Sequence, residues 1–390
     1  MKRFSKRLLI LVVWLLFGAA VLVLPVAATA DGLAGAGEGI EEEYRDFVDA
    51  LPPEVVERLP DGLFPGDEST DFGRVSEAVT DMTRFSFLAD AVGDILSVEW
   101  GTAWRLLLRT VGLLLISALA GTLCRTFRSE ALTRALSLGV TCAVFLNAVS
   151  TVYAQLSKVS DFLHTLTATV NTLMPLMAAL HVMGGNVGVA AAQNATLMLF
   201  LTVCENVCGR TVLPSSALCL CLAAASVLAP GLLPKGIGGM IKNGYTKTLG
   251  FIMLLLSFVL STQTALRAAS DSLAARTAKF VAGNLIPVVG GALGDSFRTV
   301  ASGVSFLKST VGVGAMLVLF LMLLPVLISL LTTRLSMQIS VTVSDLLGCE
   351  AESRLLAELL HVWGLLIAVV SLCSVLLIFA LTLFVRVSTA

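Results

Sequence analysis

The chain has 390 residues, 56% of them hydrophobic and only 14% charged. Its mean hydropathy is +0.91. Soluble domains carry about 25% charged residues, so this composition excludes an ordinary soluble enzyme and fits a polytopic membrane protein. The formal net charge of -1 conceals an asymmetry. Residues 31–99 hold 18 acids against 4 bases, and residues 101–390 hold 18 bases against 9 acids. An acidic exported head joined to a basic membrane body is the plan this suggests. The basic residues stand singly at segment ends and are not interleaved with aromatics, which argues against a nucleic-acid partner.

The first element is a secretory signal over 1–30. Lys2, Arg3, Lys6 and Arg7 form a positive n-region, and Leu8 to Leu24 form the apolar stretch. Ala28-Thr29-Ala30 then supplies a small-residue cleavage site. An uncleaved anchor is the alternative, and either one delivers Asp31 onward to the outer side. The head, 31–100, contains no cysteine, so disulfides play no part in its fold. Ile40, Tyr44, Phe47, Val48 and Leu51 recur at helical spacing among acids until Pro52 and Pro53 stop the pattern. A short turn at 54–59 and a breaker-rich segment follow. An amphipathic helix is then predicted from about Phe72 to Val98, with Phe72, Val75, Val79, Met82, Leu88, Val92 and Ile95 on one stripe. So small a head can hardly build a large core alone. The stripe therefore calls for cover by intramolecular packing, another protein or the membrane surface.

The membrane body, 101–390, is expected to be all-α. Spans are predicted near 106–124, 133–153, 166–184, 188–207, 212–233, 248–266, 309–332 and 361–385, each about the twenty residues needed to cross the hydrocarbon core. The pair at 166–184 and 188–207, separated by three residues, could instead form a hairpin that does not fully cross. Arg125, Arg128 and Arg134 after the first span, and Lys235, Lys242 and Lys247 after the fifth, place those loops in the cytoplasm and the head outside. The loop from Arg267 to Lys308 then lies outside, despite its five basic residues.

Catalytic signatures are missing: the sequence has no H-E-x-x-H, G-x-S-x-G, Walker loop or G-x-G-x-x-G. A non-enzyme without metal or cofactor is expected. His164, His181 and His361 are read as histidines satisfied near helix ends. Cys204 and Cys208 share a helix face, but no histidine lies near enough in sequence to suggest a metal site. The pairs Glu205 with Arg210 and Lys158 with Asp161 read as interfacial snorkelling groups. Arg105 and Arg109 read as headgroup anchors beside Trp100 and Trp104.

One stretch resists these readings. Between the sixth and seventh spans, Lys279 to Asp295 is apolar enough to enter a bilayer yet is broken by proline and glycine. Hydrocarbon tolerates irregular backbone only where protein or a water-filled cavity satisfies it. A re-entrant element at 281–295 is therefore expected. Its candidate functional residues are Gln263, Asp271, Lys279, Asn284, Pro287, Gly290, Gly291 and Asp295.

The same region carries a resemblance. Gly244-Tyr-Thr-Lys-Thr-Leu-Gly250, Gln263-Thr264, Asp271-Ser272, Ala278-Lys-Phe280, Ile286-Pro-Val-Val-Gly-Gly-Ala-Leu293 and Asp295 are similar to the stage III sporulation protein AE family. The signal, the acidic head with Leu51-Pro-Pro-Glu54 and Leu59-Pro-Asp61, and the multispan body fit the same plan. His181-Val-Met-Gly-Gly185 departs from the small-residue run of the family, which puts the third and fourth spans in question. The resemblance implies a non-enzymatic subunit of a trans-envelope channel or secretion complex. That complex would sit in the mother-cell membrane around the engulfed forespore. Its sibling subunits would include a separate ATPase, and homo-oligomers are a further implied option. The alternative is a stand-alone secondary transporter. Asn171-Thr-Leu-Met-Pro175 and Asn284-Leu-Ile-Pro287 are each followed by paired glycines, Gly184-Gly185 and Gly290-Gly291, and interrupted segments in two halves point to a transport site. An intramembrane enzyme has no motif behind it.

Overall fold

A computed structural model describes residues 38–64, 72–127, 130–183, 187–202, 210–228, 237–285 and 290–388. The signal segment, Cys204, Cys208, Glu205, Gly184, Gly185 and Pro287 lie outside the described residues. Every regular element among those described is helical, as the composition requires. The head comprises α1 (Glu38–Asp49), α2 (Pro53–Val56), a 3-10 turn (Asp61–Leu63) and α3 (Phe72–Met82). The body comprises α4 (Phe85–Phe127), α5 (Glu130–Met183), α6 (Val187–Thr202), α7 (Arg210–Leu228), α8 (Ile237–Leu285), α9 (Gly290–Leu346) and α10 (Glu350–Ser388).

The centre of the molecule is α9. Every residue from 310 to 324 is buried. A helix apolar on all sides must be surrounded, and α9 is enclosed by α10, α4, α5 and the head helices α2 and α3. Of its most apolar window 83% is buried, against 12% for α8. The periphery of the described bundle is therefore α8, whose Phe251, Leu254 and Phe258 are exposed for lipid.

The amphipathic stripe of the head finds its cover within the chain. Val75, Val79, Met82 and Ile95 are buried, and Leu88 and Val92 pack against the same core. On α9, Gly314 leaves room for Val79 to pack against its bare backbone. From α1, Tyr44 donates its hydroxyl to the Leu63 carbonyl at 2.8 Å. That bond ties α1 to the 3-10 turn, and burial pushes the Tyr44 phenol upward. The stripe is also divided: Thr83 and Arg84 separate α3 from α4, so the single helix expected from Phe72 to Val98 is two.

One expectation about spans changes. The segments expected at 133–153 and 166–184 lie, over their described residues, in one continuous 54-residue helix, α5. Pro175 lies inside it and does not interrupt it. An interior proline costs about 3 kcal/mol in isolation. Here Leu173, Leu176 and Met177, at 0–1% exposure, hold the helix by packing. The boundary drawn at residue 100 likewise falls inside α4, which runs unbroken from the head into the first span. Among the described residues, five helices are long and apolar enough to cross a membrane: α4, α5, α8, α9 and α10. Of the segments expected at 188–207 and 212–233, the described parts lie in α6, of 16 residues, and α7, of 19.

Two measurements test the head. Met82 is 1% exposed, and Met82→Ala is expected to destabilise the head by about 2–5 kcal/mol, seen as earlier protease release during thermal unfolding. Glu43 is raised above its ordinary 4.5 by burial, then by Asp46 and Glu42. The folded state therefore favours the protonated acid, and stability falls as pH rises from 4.5 through the raised value. Glu43→Gln should raise the unfolding midpoint at pH 7, and that gain should vanish once the pH drops below 4.5.

Candidate functional site

The residues singled out from the sequence do not form one compact site. Gln263, Asp271, Lys279 and Asn284 all lie on α8, which remains helical to Leu285. From Gln263 to Asn284 the helix rises about 32 Å, more than the depth of the hydrocarbon core. The Gln263 side chain is exposed. Gly290 and Gly291 are the first described residues of α9, and Asp295 lies on its second turn. Helix thus occupies both flanks of the expected re-entrant element. Residues 286–289 lie outside the described residues.

What the structure does bring together is a seam of polar side chains between α4, α5, α9 and α10. At one end Lys158 of α5 reaches Glu99 of α4 at 3.1 Å and Ser329 of α9 at 2.9 Å. Lys158 is therefore engaged across helices, rather than paired with Asp161 at an interface as its sequence neighbourhood suggested. Next, Gln155 donates to Ser329 and Thr333 at 3.3 and 2.9 Å. Ser336 donates to the Ala103 carbonyl at 3.0 Å. Asn147 donates to Thr110 at 3.2 Å. At the far end Ser117 and Thr141 both donate to Oε1 of Glu352, at 2.8 and 2.9 Å.

The pairs fix an antiparallel register for α4 and α5. From Glu99 to Ser117 the seam climbs about 27 Å along α4, close to the thickness of a hydrocarbon core. Hydrogen bonds between membrane helices are individually modest, averaging about 0.6 kcal/mol, so the seam specifies register more than it adds stability. Among the described residues the polar groups on this seam bond mainly to one another.

Glu352 is different in kind. It is 4% exposed, and among the described residues it has hydroxyl partners but no base. Burying a lone carboxylate costs several kcal/mol. Its place in the first turn of α10 offsets about 0.3–1 kcal/mol, and up to about 2 in partly buried geometries. The turn that sets this position is a Schellman closure. The Cys349 amide donates to the Ser344 carbonyl and the Gly348 amide to Asp345, with Gly348 at a φ of 71°. A side chain at that φ is strained, so glycine is what allows α10 to return directly beside α9.

A second charged group lies where α8 crosses α10. The His361 ring packs over Gly239, and the Lys242 side chain packs over Gly364. Glu358 and Arg334 are the further charges acting on His361. The sequence reading of His361 as an interfacial residue near a helix end missed this crossing. His181 is buried at 1%, with Nδ1 3.0 Å from the Met177 carbonyl, and His164 is exposed. Trp100 and Trp104 are half-exposed beside exposed Arg105 and Arg109, in keeping with a headgroup belt. No group of three histidine, cysteine, aspartate or glutamate side chains that could hold a metal ion occurs among the described residues.

The register can be checked by cross-linking. In a chain otherwise free of cysteine, Thr110→Cys with Asn147→Cys is expected to form a disulfide rapidly. Thr110→Cys with Tyr153→Cys is expected to stay reduced, because Tyr153 faces outward at 73% exposure. The reverse pattern would place α4 and α5 in another register.

Comparison with known proteins supplies the wider context. A family model described as stage III sporulation protein AE matches residues 74–388, from α3 through the end of α10. The stage III sporulation protein AE of Bacillus subtilis (strain 168) is 26% identical over 166 residues. That match covers 43% of this chain and 42% of the relative, so it spans less than half of either. No solved structure matches. With the family match running through the whole seam and well over half the chain, this protein belongs to the stage III sporulation protein AE family.

Proposed function

We propose that this protein is a non-enzymatic integral-membrane subunit of a trans-envelope channel or secretion complex linking mother cell and forespore. Its place is the mother-cell membrane around the engulfed forespore, with the acidic head outside the cytoplasm. Membership of a sporulation family supports the process. The single structural observation behind a subunit role is the way the seam residues are used. Glu99, Lys158, Gln155, Asn147 and Glu352 bond across helices, tying the head-bearing α4 to the central α9 and α10. Such a bundle suits a fixed membrane part that other subunits, among them a separate ATPase, act upon.

The stand-alone transporter loses its main support. Its argument rested on paired breaks at Pro175 and Pro287, and α5 passes through Pro175 unbroken. Gln263 and Asn284, both candidate residues, stand about 32 Å apart along α8.

Deletion of the gene is expected to block sporulation after engulfment, scored by microscopy of membrane-stained cells. The purified chain alone in liposomes is expected to move no solute. Flux without sibling subunits would overturn the subunit reading in favour of the transporter.

A further inference from the structure

We propose that Glu352, Ser117 and Thr141 form a binding site for a monovalent metal cation where α4, α5 and α10 meet. The three side chains come from three helices and converge on a single oxygen. Ser117 Oγ and Thr141 Oγ1 lie 2.8 and 2.9 Å from Glu352 Oε1. Glu352 and Thr141 are both at 4% exposure, so little water reaches the group. Among the described residues no lysine, arginine or histidine pairs with Glu352.

The chemistry follows from what hydroxyls can do. Each hydroxyl has one proton to donate and two lone pairs to offer. In the hydrogen bonds to Glu352 both hydroxyls act as donors. When a cation arrives, the hydroxyls rotate their protons away and turn lone pairs inward. A carboxylate with two hydroxyl oxygens is a hard oxygen donor set, which suits sodium-like ions and not soft metals. One acid balances one positive charge, so a monovalent ion leaves the buried site neutral where a divalent ion would not. The helix N-terminus contributes favourably to the bare carboxylate, and this is the competing explanation for its burial. The two explanations differ in a measurable way, because a dipole-stabilised acid needs no ion.

The site would make the packing of α4, α5 and α10 depend on ion occupancy. Ligand binding to the folded state raises its stability in a saturable manner. The test uses the full-length protein in detergent, with sodium exchanged against N-methylglucamine at constant ionic strength, then potassium and lithium in turn. The wild-type melting temperature is expected to rise saturably with at least one of these ions. Ser117→Ala and Thr141→Val should each raise the half-saturating concentration about tenfold or more. Glu352→Gln should abolish the dependence. A wild type insensitive to all three ions overturns the proposal, as does an unchanged dependence in Glu352→Gln. If Glu352→Gln fails to fold, the two hydroxyl variants decide, and unaltered half-saturation in both overturns it.

Discussion

A helix that is apolar on every side can settle only where something apolar surrounds it, and the stretch of α9 from 310 to 324 is such a helix. Its enclosure organises the rest of the molecule. Helix α10 folds back along it through the Gly348 turn, and α4 and α5 flank it with the polar seam. The head reaches the same helix through Val79. Because lipid tails are as apolar as leucine, this enclosure cannot draw on the hydrophobic effect inside a bilayer in the way a soluble core does. Close packing and the cross-helix hydrogen bonds must carry the specificity. That is why polar residues sit at intervals along helices that are otherwise leucine, valine and alanine.

Much of the architecture was legible from composition and period. Apolar runs of about twenty residues are a strong signal, and six of the eight fall in the five helices fit to span among the described residues. The amphipathic stripe of the head was also readable, since its period marked one buried face. Its cover was not, because nothing local says which surface a stripe will meet. The merging of two predicted spans into α5 was hidden for a similar reason. The polar patch of Gln155, Ser157, Lys158 and Asp161 resembles a loop when read alone. In the fold Gln155 and Lys158 are turned inward to α4 and α9, and the helix has no cause to end.

The candidate site was legible least. Proline and glycine advertise irregular backbone, so they drew the reading towards 281–295. Yet two prolines sit inside long α5 and α9 without ending them, because packing outweighs their local cost. Glu352 gave the opposite impression. It lies before the most apolar part of α10 and beside Glu350 and Arg354, which form an exposed pair. From spacing alone it belongs to a solvated helix start. Only the return of α10 against Ser117 and Thr141 shows that it is buried.

The continuity of α4 has a mechanical meaning. A flexible linker between the head and the helical body would let each move without disturbing the other. Here one helix of about 65 Å serves both, with no joint at the boundary where composition changes. Its first part packs with the head and its apolar part is stitched to α5 and α9. A pull or twist applied to the head by anything that grips it therefore arrives in the bundle as a tilt or rotation of α4. The first groups to feel that motion are the bonds along the seam.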